Sequence, residues 1–228
     1  MAEFGESIPQ LFFPLVLVFL YLATLVGIAE FLSRSFQDDP EITRKVVHIG
    51  SGNVILFAWW LGIEAQVIVI AAAIAAVIAL VSYFTTILPS INSVGRKSLG
   101  TLFYAISIGV LTWLFWEDYP QYTVIGILVM TWGDGLAAVI GQRFGKHPYS
   151  VLGINKSWEG SSAMAIATFA VSFSILAATT GAYTPEFINA LLVALIATGL
   201  EAFSKFGLDN LTVPIASSLI CYYCHTTT

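Results

Sequence analysis

Charge is what this sequence has least of. Lys and Arg together number 9 and Asp and Glu 14, so charged residues are 10% of the 228, against ~25% in a soluble globular chain. With its 18 glycines counted in, the chain is roughly 65% apolar, against ~45–50% in a soluble domain, which excludes an ordinary water-soluble fold. The formal net charge is −5 and there is no Lys/Arg-rich tail or cluster, so nothing here attracts a nucleic acid by its field, and no nucleic-acid partner is expected. Cysteine is nearly absent: Cys221 and Cys224 are too few and too close for a disulfide framework and are read as structural. Also missing are a Walker G-x-x-x-x-G-K-[ST] and a kinase Gly-rich loop, which excludes those two nucleotide-binding folds. Polar blocks, internal repeats and low-complexity segments are missing as well, so 1–228 is taken as one domain. Met1–Glu6 is acidic, unlike the basic start of a signal peptide or the Arg-rich transit peptide of an organelle protein. The run Leu11–Ala29 is therefore expected to persist as a spanning helix in a bacterial plasma or thylakoid membrane.

What the chain does have is long apolar runs. From Ala65 to Gly95 no residue is charged, when ~20 residues suffice to cross a bilayer. Apolar helices are predicted at 10–32, 46–62, 65–88, 99–116, 121–140, 160–181, 187–203 and 211–224. The expected fold is thus all-α, a polytopic transmembrane bundle of eight helices, or seven if the short last two do not both cross. Cytoplasmic loops retain Lys and Arg. Here Arg34, Arg44 and Lys45 follow the first helix, Arg96 and Lys97 the third, Arg143, Lys146 and Lys156 the fifth, and Lys205 the seventh. The other turns, near Glu64, Glu117 and Glu186, hold none, so both termini are expected on the non-cytoplasmic side.

The cytoplasmic loops carry more than this bias requires. Asp134 stands between Gly133 and Gly135 near the end of the fifth helix, and an ionisable residue at such a depth is by default functional. The two glycines permit the close backbone approach that a phosphate or metal needs. Asn155-Lys156-Ser157-Trp158-Glu159-Gly160-Ser161 opens the sixth helix; its hydroxyls and free N–H groups suit an anion or serve as N-caps, and Lys156 offers a point charge. Arg44, Lys45 and His48 open the second helix, with Arg44 and His48 on one face. Asp134, Glu159, Glu201 and Asp209 gather on the same membrane side, and hard carboxylates of this kind can hold Mg²⁺ that bridges to phosphates. Trp59, Trp60, Trp113, Trp116 and Tyr119 read as interfacial anchors, while Trp132 and Trp158 sit by the motifs, placed to line a substrate pocket. A transporter, suggested by Glu30 within the first helix, is disfavoured because the polar residues cluster on one side and trace no path.

Arg44-Lys45-x-x-His48, Gly133-Asp134-Gly135, Gly141-x-Arg143-Phe-Gly145, Asn155 to Ser161, and Glu201 followed by Leu208-Asp-Asn-Leu-Thr-Val-Pro214 together resemble the polyprenol kinases, relatives of dolichol kinase and of the CTP-dependent diacylglycerol kinase. The likeness is nearest to the phytol kinases of cyanobacteria and plastids, and its motifs span 44–214. The resemblance implies phosphorylation of a long-chain prenyl alcohol, phytol first, with CTP (or UTP or ATP) and Mg²⁺, feeding tocopherol synthesis and phytol salvage. On that pattern Asp134 takes Mg²⁺ or the alcohol proton, and His48 is a base or a hydrogen-bond partner. Lys156, Arg44, Lys45, Arg143, Ser157 and the two glycines face the triphosphate. Glu201, Asp209 and Glu159 are further metal candidates. Ala138 departs from the pattern, since several members carry a second Asp there. Other lipid alcohols, and cytidylyl transfer of the phosphatidate type, are the alternatives within enzymes.

Overall fold

The computed structural model describes residues 3–35, 40–85 and 99–227. Arg96 and Lys97, and the side chains of Arg34 and Arg44, lie outside the described residues. The chain runs α1 (Glu3–Ser35), α2 (Pro40–Gly52), α3 (Val54–Trp60), α4 (Ala65–Thr85), α5 (Gly100–Phe115), α6 (Pro120–Leu128), a π-helical segment (Val129–Asp134), α7 (Gly135–Phe144), strands β1 (Pro148–Val151) and β2 (Ile154–Ser157), α8 (Trp158–Thr180), α9 (Tyr183–Ala202) and α10 (Asp209–Thr227). Among the described residues the fold is all-α apart from one hairpin, and five stretches are long and apolar enough to cross a membrane: Phe12–Leu32, Ala65–Phe84, Pro120–Phe144, Trp158–Thr180 and Tyr183–Ala202. The helix expected at 46–62 is two pieces, α2 and α3, separated at Asn53, next to Gly52, where a Cβ would run into Thr131 of the π segment.

Burial orders the bundle. Pro120–Phe144 is 61% buried, against 11% for Phe12–Leu32 and 17% for Ala65–Phe84, so the α6–π–α7 rod is the centre and α1 and α4 are the periphery. Around the rod close Leu111 of α5, Met164 and Leu176 of α8, Val193 of α9 and Val213 of α10. The peripheral helices instead expose Phe12, Phe19 and Phe31, and Ile70, Ile74 and Phe84, apolar all round as a helix in hydrocarbon is. Small residues bring helices together: a Cβ on Gly126 would meet Pro214 O of α10 at 2.6 Å. Hydroxyls bridge the close approaches, Thr123 donating to Leu111 O and Ser218 to Tyr122 O, both at 2.8 Å, as between helices without a wet interface. Cys221 is buried and Cys224 half-buried, and neither is in a disulfide among the described residues.

Caps delimit the segments that matter for the site. Pro120 stands in the first turn of α6, where its missing N–H costs nothing. Ser157 caps α8 by accepting from Gly160 N at 3.2 Å, and Gly181 ends that helix in the left-handed region at φ 70. The loop between the fifth and sixth predicted helices folds as an antiparallel hairpin, Pro148 opposite Ser157 and Val151 opposite Ile154. Its two-residue turn is Leu152-Gly153 with φ 51 and 76, the conformation that suits tight hairpins. Lys205 in the α9–α10 turn donates to Leu152 O, which pins the hairpin to the end of α9.

Candidate active site

The site grows from the π segment. A π turn widens the helix locally and leaves carbonyls to be satisfied; Thr131 Oγ1 donates to Ile127 O at 2.9 Å and Leu128 O at 3.3 Å. Asp134 is the last residue of this turn, and both neighbouring glycines are packing positions. A Cβ at Gly133 would meet Met164 Sδ of α8 at 2.5 Å, and one at Gly135 would meet Ile49 Cγ1 of α2 at 2.5 Å. The room the glycines leave is thus filled by helices α8 and α2, which press in on either side of Asp134, and not kept open for a phosphate.

Helix α2 answers Asp134 with two groups one turn apart. Lys45 Nζ donates to Asp134 Oδ2 at 2.6 Å and is only 5% exposed. His48 Nε2 stands 3.7 Å from the same oxygen, its ring packed on Tyr104 at 5.6 Å between centroids. The hairpin delivers Lys156 from β2 to Glu201 at the end of α9, a half-buried ammonium on a buried carboxylate. Burial acts to lower the Lys156 pKa, but the charge and hydrogen bond of Glu201 outweigh it and hold it above the ordinary lysine value, with Asp134 and Asp209 adding to the effect. Asp209 opens α10, its Oδ1 accepting from Asn210 N at 3.0 Å. Its carboxyl is pushed up to about 6, first by burial and then by the charge of Asp134. Lys45, Asp134, Lys156, Glu201 and Asp209 therefore form one electrostatic unit built by four helices and a strand.

In that unit three carboxylates face two lysines, an excess of negative charge in a poorly solvated place, and Glu201 Oε2 is buried without a hydrogen-bond partner among the described residues. Hard oxygens, surplus negative charge and an orphaned carboxylate oxygen fit a divalent cation such as Mg²⁺. Among the described residues no three His, Cys, Asp or Glu side chains converge into a ready-made metal cage, so at most two of these carboxylates would hold such an ion, with water and phosphate completing its shell. Ala138 offers no second carboxylate on this helix, and the carboxyl that feels the charge of Asp134 is that of Asp209.

Other predicted residues stand outside these pairings. Ser157 is engaged as the cap of α8. Arg143 is exposed in the last turn of α7. Glu159 turns to His147, its Oε1 2.6 Å from Nδ1 and its Oε2 accepting from the backbone N–H at 3.3 Å. Sequence reasoning placed Lys45 on phosphate and missed its pairing with Asp134; the i, i+3 spacing of Lys45 and His48 was the signal. It also missed Asn53, whose Oδ1 accepts from Trp132 Nε1 at 2.9 Å and for which no signal existed.

The chain matches the description "Cytidylyltransferase family" over residues 8–207. It is 51% identical over 203 residues to a phytol kinase of Synechocystis sp., covering 89% of this chain and 87% of that one. It is 30% identical over 221 residues to a probable chloroplastic phytol kinase of Triticum aestivum, covering 87% and 72%, and 30% identical over 215 residues to phytol kinase 1 of Arabidopsis thaliana, covering 85% and 69%. No solved structure matches. The chain therefore belongs to the cytidylyltransferase family and, within it, to the phytol kinases, transferases of the kinase class.

Proposed function

We propose that this protein phosphorylates phytol at the cytoplasmic face of a membrane, taking the γ-phosphoryl group from CTP with Mg²⁺, and that the phytyl phosphate feeds tocopherol synthesis and phytol salvage. The observation that carries the reading is the paired-charge unit, Asp134 on Lys45 at 2.6 Å beside Lys156 on Glu201, in a chain 51% identical to a phytol kinase. Eight crossings, with both termini outside, put that unit in the cytoplasm. Three of the four basic segments supply Lys45, Lys156 and Lys205 to contacts at one end of the bundle, while Glu64 and Glu117 line one recess elsewhere.

Two of the three carboxylates Asp134, Asp209 and Glu201 would hold Mg²⁺, which when bound would offset the charge that builds on the phosphates. Lys156, kept charged by Glu201, moves its ammonium to the triphosphate, and Arg143 meets the phosphates from the exposed end of α7. Lys45 and His48 fix Asp134 from behind. The alcohol oxygen attacks the γ-phosphorus, and the bond from that phosphorus to the β–γ bridging oxygen breaks. A nucleoside diphosphate leaves, and the hydroxyl proton passes to a carboxylate at the interface. Such a loose transfer asks the protein mainly for positioning and charge.

The family description favours one second reading, cytidylyl transfer. Purified protein with Mg²⁺ and phytol is supplied with CTP labelled at either the α or the γ phosphorus. The kinase reading predicts lipid label from the γ position only; lipid label from the α position establishes nucleotidyl transfer and overturns it. UTP and ATP in parallel rank the donors.

A further inference from the structure

On the flank of the bundle, between the α6–π–α7 rod and α8, runs a groove of about 570 Å³, inside the ~300–1,000 Å³ range of small-molecule sites. Trp132, Leu136 and Ile140 form one wall, and Ala163, Ala167 and Ala170 the other. Those alanines recur at four and three residues along one helix face, and their small side chains give the groove its depth. Ile166, 70% exposed, stands at the open edge, so the slot opens sideways where a bilayer would lie. Its polar groups are confined to one end, Glu159 and Ser162. The groove and the charged unit flank the same stretch of the rod from opposite sides: Trp132 and Leu136 lie two residues either side of Asp134, on the face turned away from it, and Glu159 lies three residues beyond Lys156. A nucleotide finds no polar partners along this slot. A single-headed amphiphile arriving from the lipid fits both its length and its one polar end.

We propose that this groove binds the hydrocarbon tail of the alcohol substrate, with the hydroxyl at the Glu159–Ser162 end. The inference rests on the kinase reading above and adds where the acceptor lies and what measures its length. With one oxygen on His147 Nδ1 and the other on its N–H, the Glu159 carboxylate is held at that end of the groove as an acceptor for the alcohol hydroxyl. Distance along the tail is then read on α8 at ~1.5 Å per residue. Ala163 lies about 6 Å and Ala170 about 16 Å from the level of Glu159 on that rise, so Ala170 meets only the far part of a long chain.

The test uses the full chain in lipid nanodiscs. Ala163 and Ala170 are incompletely buried, so Ala163→Phe and Ala170→Phe fill the groove without displacing the core. For Ala170→Phe the expected result is a KM for phytol raised about tenfold or more, on the scale by which apolar pockets discriminate, with the KM for geraniol and for nucleotide unchanged. Ala163→Phe raises the KM of both alcohols and spares the nucleotide. Equal effects of Ala170→Phe on long and short alcohols, or no effect of either variant, would overturn the groove. A second measurement needs no turnover: a C20 prenyl alcohol bearing a terminal diazirine is photolysed with the wild-type chain. Adducts around Ala170 of α8 or on the facing Trp132–Ile140 wall that excess phytol suppresses support the groove, and adducts confined to helices that do not line it overturn it. Should the wild type phosphorylate no alcohol, the kinase reading falls while the crosslink still decides the groove.

Discussion

Lys45 and Asp134 meet at 2.6 Å with side-chain exposures of 6% and 17%, so each is the condition for burying the other. Breaking such a pair from one side costs ~3–5 kcal/mol because a charge is left alone, whereas removing both sides is far milder. Lys45→Met is accordingly expected to lower the melting temperature of purified protein strongly, and Lys45→Met with Asp134→Asn to restore most of it without restoring turnover. A double variant as unstable as the single one would mean that Lys45 acts through some other contact. Asp209 gives this scale its pH dependence. Its carboxyl stands at about 6 when folded, against an ordinary 3.8, so the folded protein holds a proton over a range in which the unfolded chain has released it. Stability therefore falls as pH rises from about 4 to about 6, and Asp209→Asn is expected to flatten that limb in melts recorded against pH without added Mg²⁺. Asp134, Lys156, Glu201 and Asp209 were all legible as candidates, because ionisable residues are conspicuous in so apolar a chain. Their pairing was not: which lysine meets which carboxylate depends on how α2 and the hairpin rotate, and residue spacing leaves that open.

Helix α2, the π turn and the hairpin are the elements that make a site of these residues. The π turn spanning Val129–Asp134 holds one residue more than an α-helix would there. Deleting Met130 is expected to return the rod to α geometry and rotate Asp134 away from Lys45, with retained helical circular dichroism and abolished phosphoryl transfer. Retained transfer would show that the turn is incidental. Gly133→Ala should cost ~1–3 kcal/mol, the usual price of overpacking, because the new methyl meets Met164 Sδ; Met164→Ala in the same chain should relieve it. Seven of the eight predicted helices correspond to observed helical stretches with only end shifts, since apolar runs bounded by charge are strong signals. The exception, 46–62, broke because the need for α2 to turn toward Asp134 is tertiary. The hairpin was hidden for the same kind of reason: its strands are four residues each, and its register is fixed by contacts to α8 and to Lys205.

At the scale of the whole molecule a central rod is flanked by peripheral apolar helices and carries the charged unit, proposed above to face the cytoplasm. Orientation is checked with Cys221 and Cys224 replaced by Ser and single cysteines introduced in intact cells. A cysteine at Lys146 is expected to resist a membrane-impermeant maleimide added outside, and one at Asp118 to react; the reverse pattern would invert the bundle. Chelation by EDTA is expected to abolish turnover and Mg²⁺ to restore it, with little change in melting temperature since no three described ligands form a cage. The long apolar helices were readable from composition alone, whereas the side of the membrane that loop charge assigns to the polar residues is a proposal that the cysteine labelling tests. The chemistry was readable only through family motifs, because phosphoryl transfer leaves no short pattern of its own outside the folds excluded at the outset. The most direct test of the central claim, that the unit around Asp134 transfers phosphate to phytol, is turnover of γ-labelled CTP and phytol by wild type and Asp134→Asn, both shown to be folded by their melts. The account predicts labelled phytyl phosphate from the wild type and a loss on the order of 10²–10³-fold in the variant, the scale seen when one group stabilising the transition state is removed. Equal turnover by the two would contradict it.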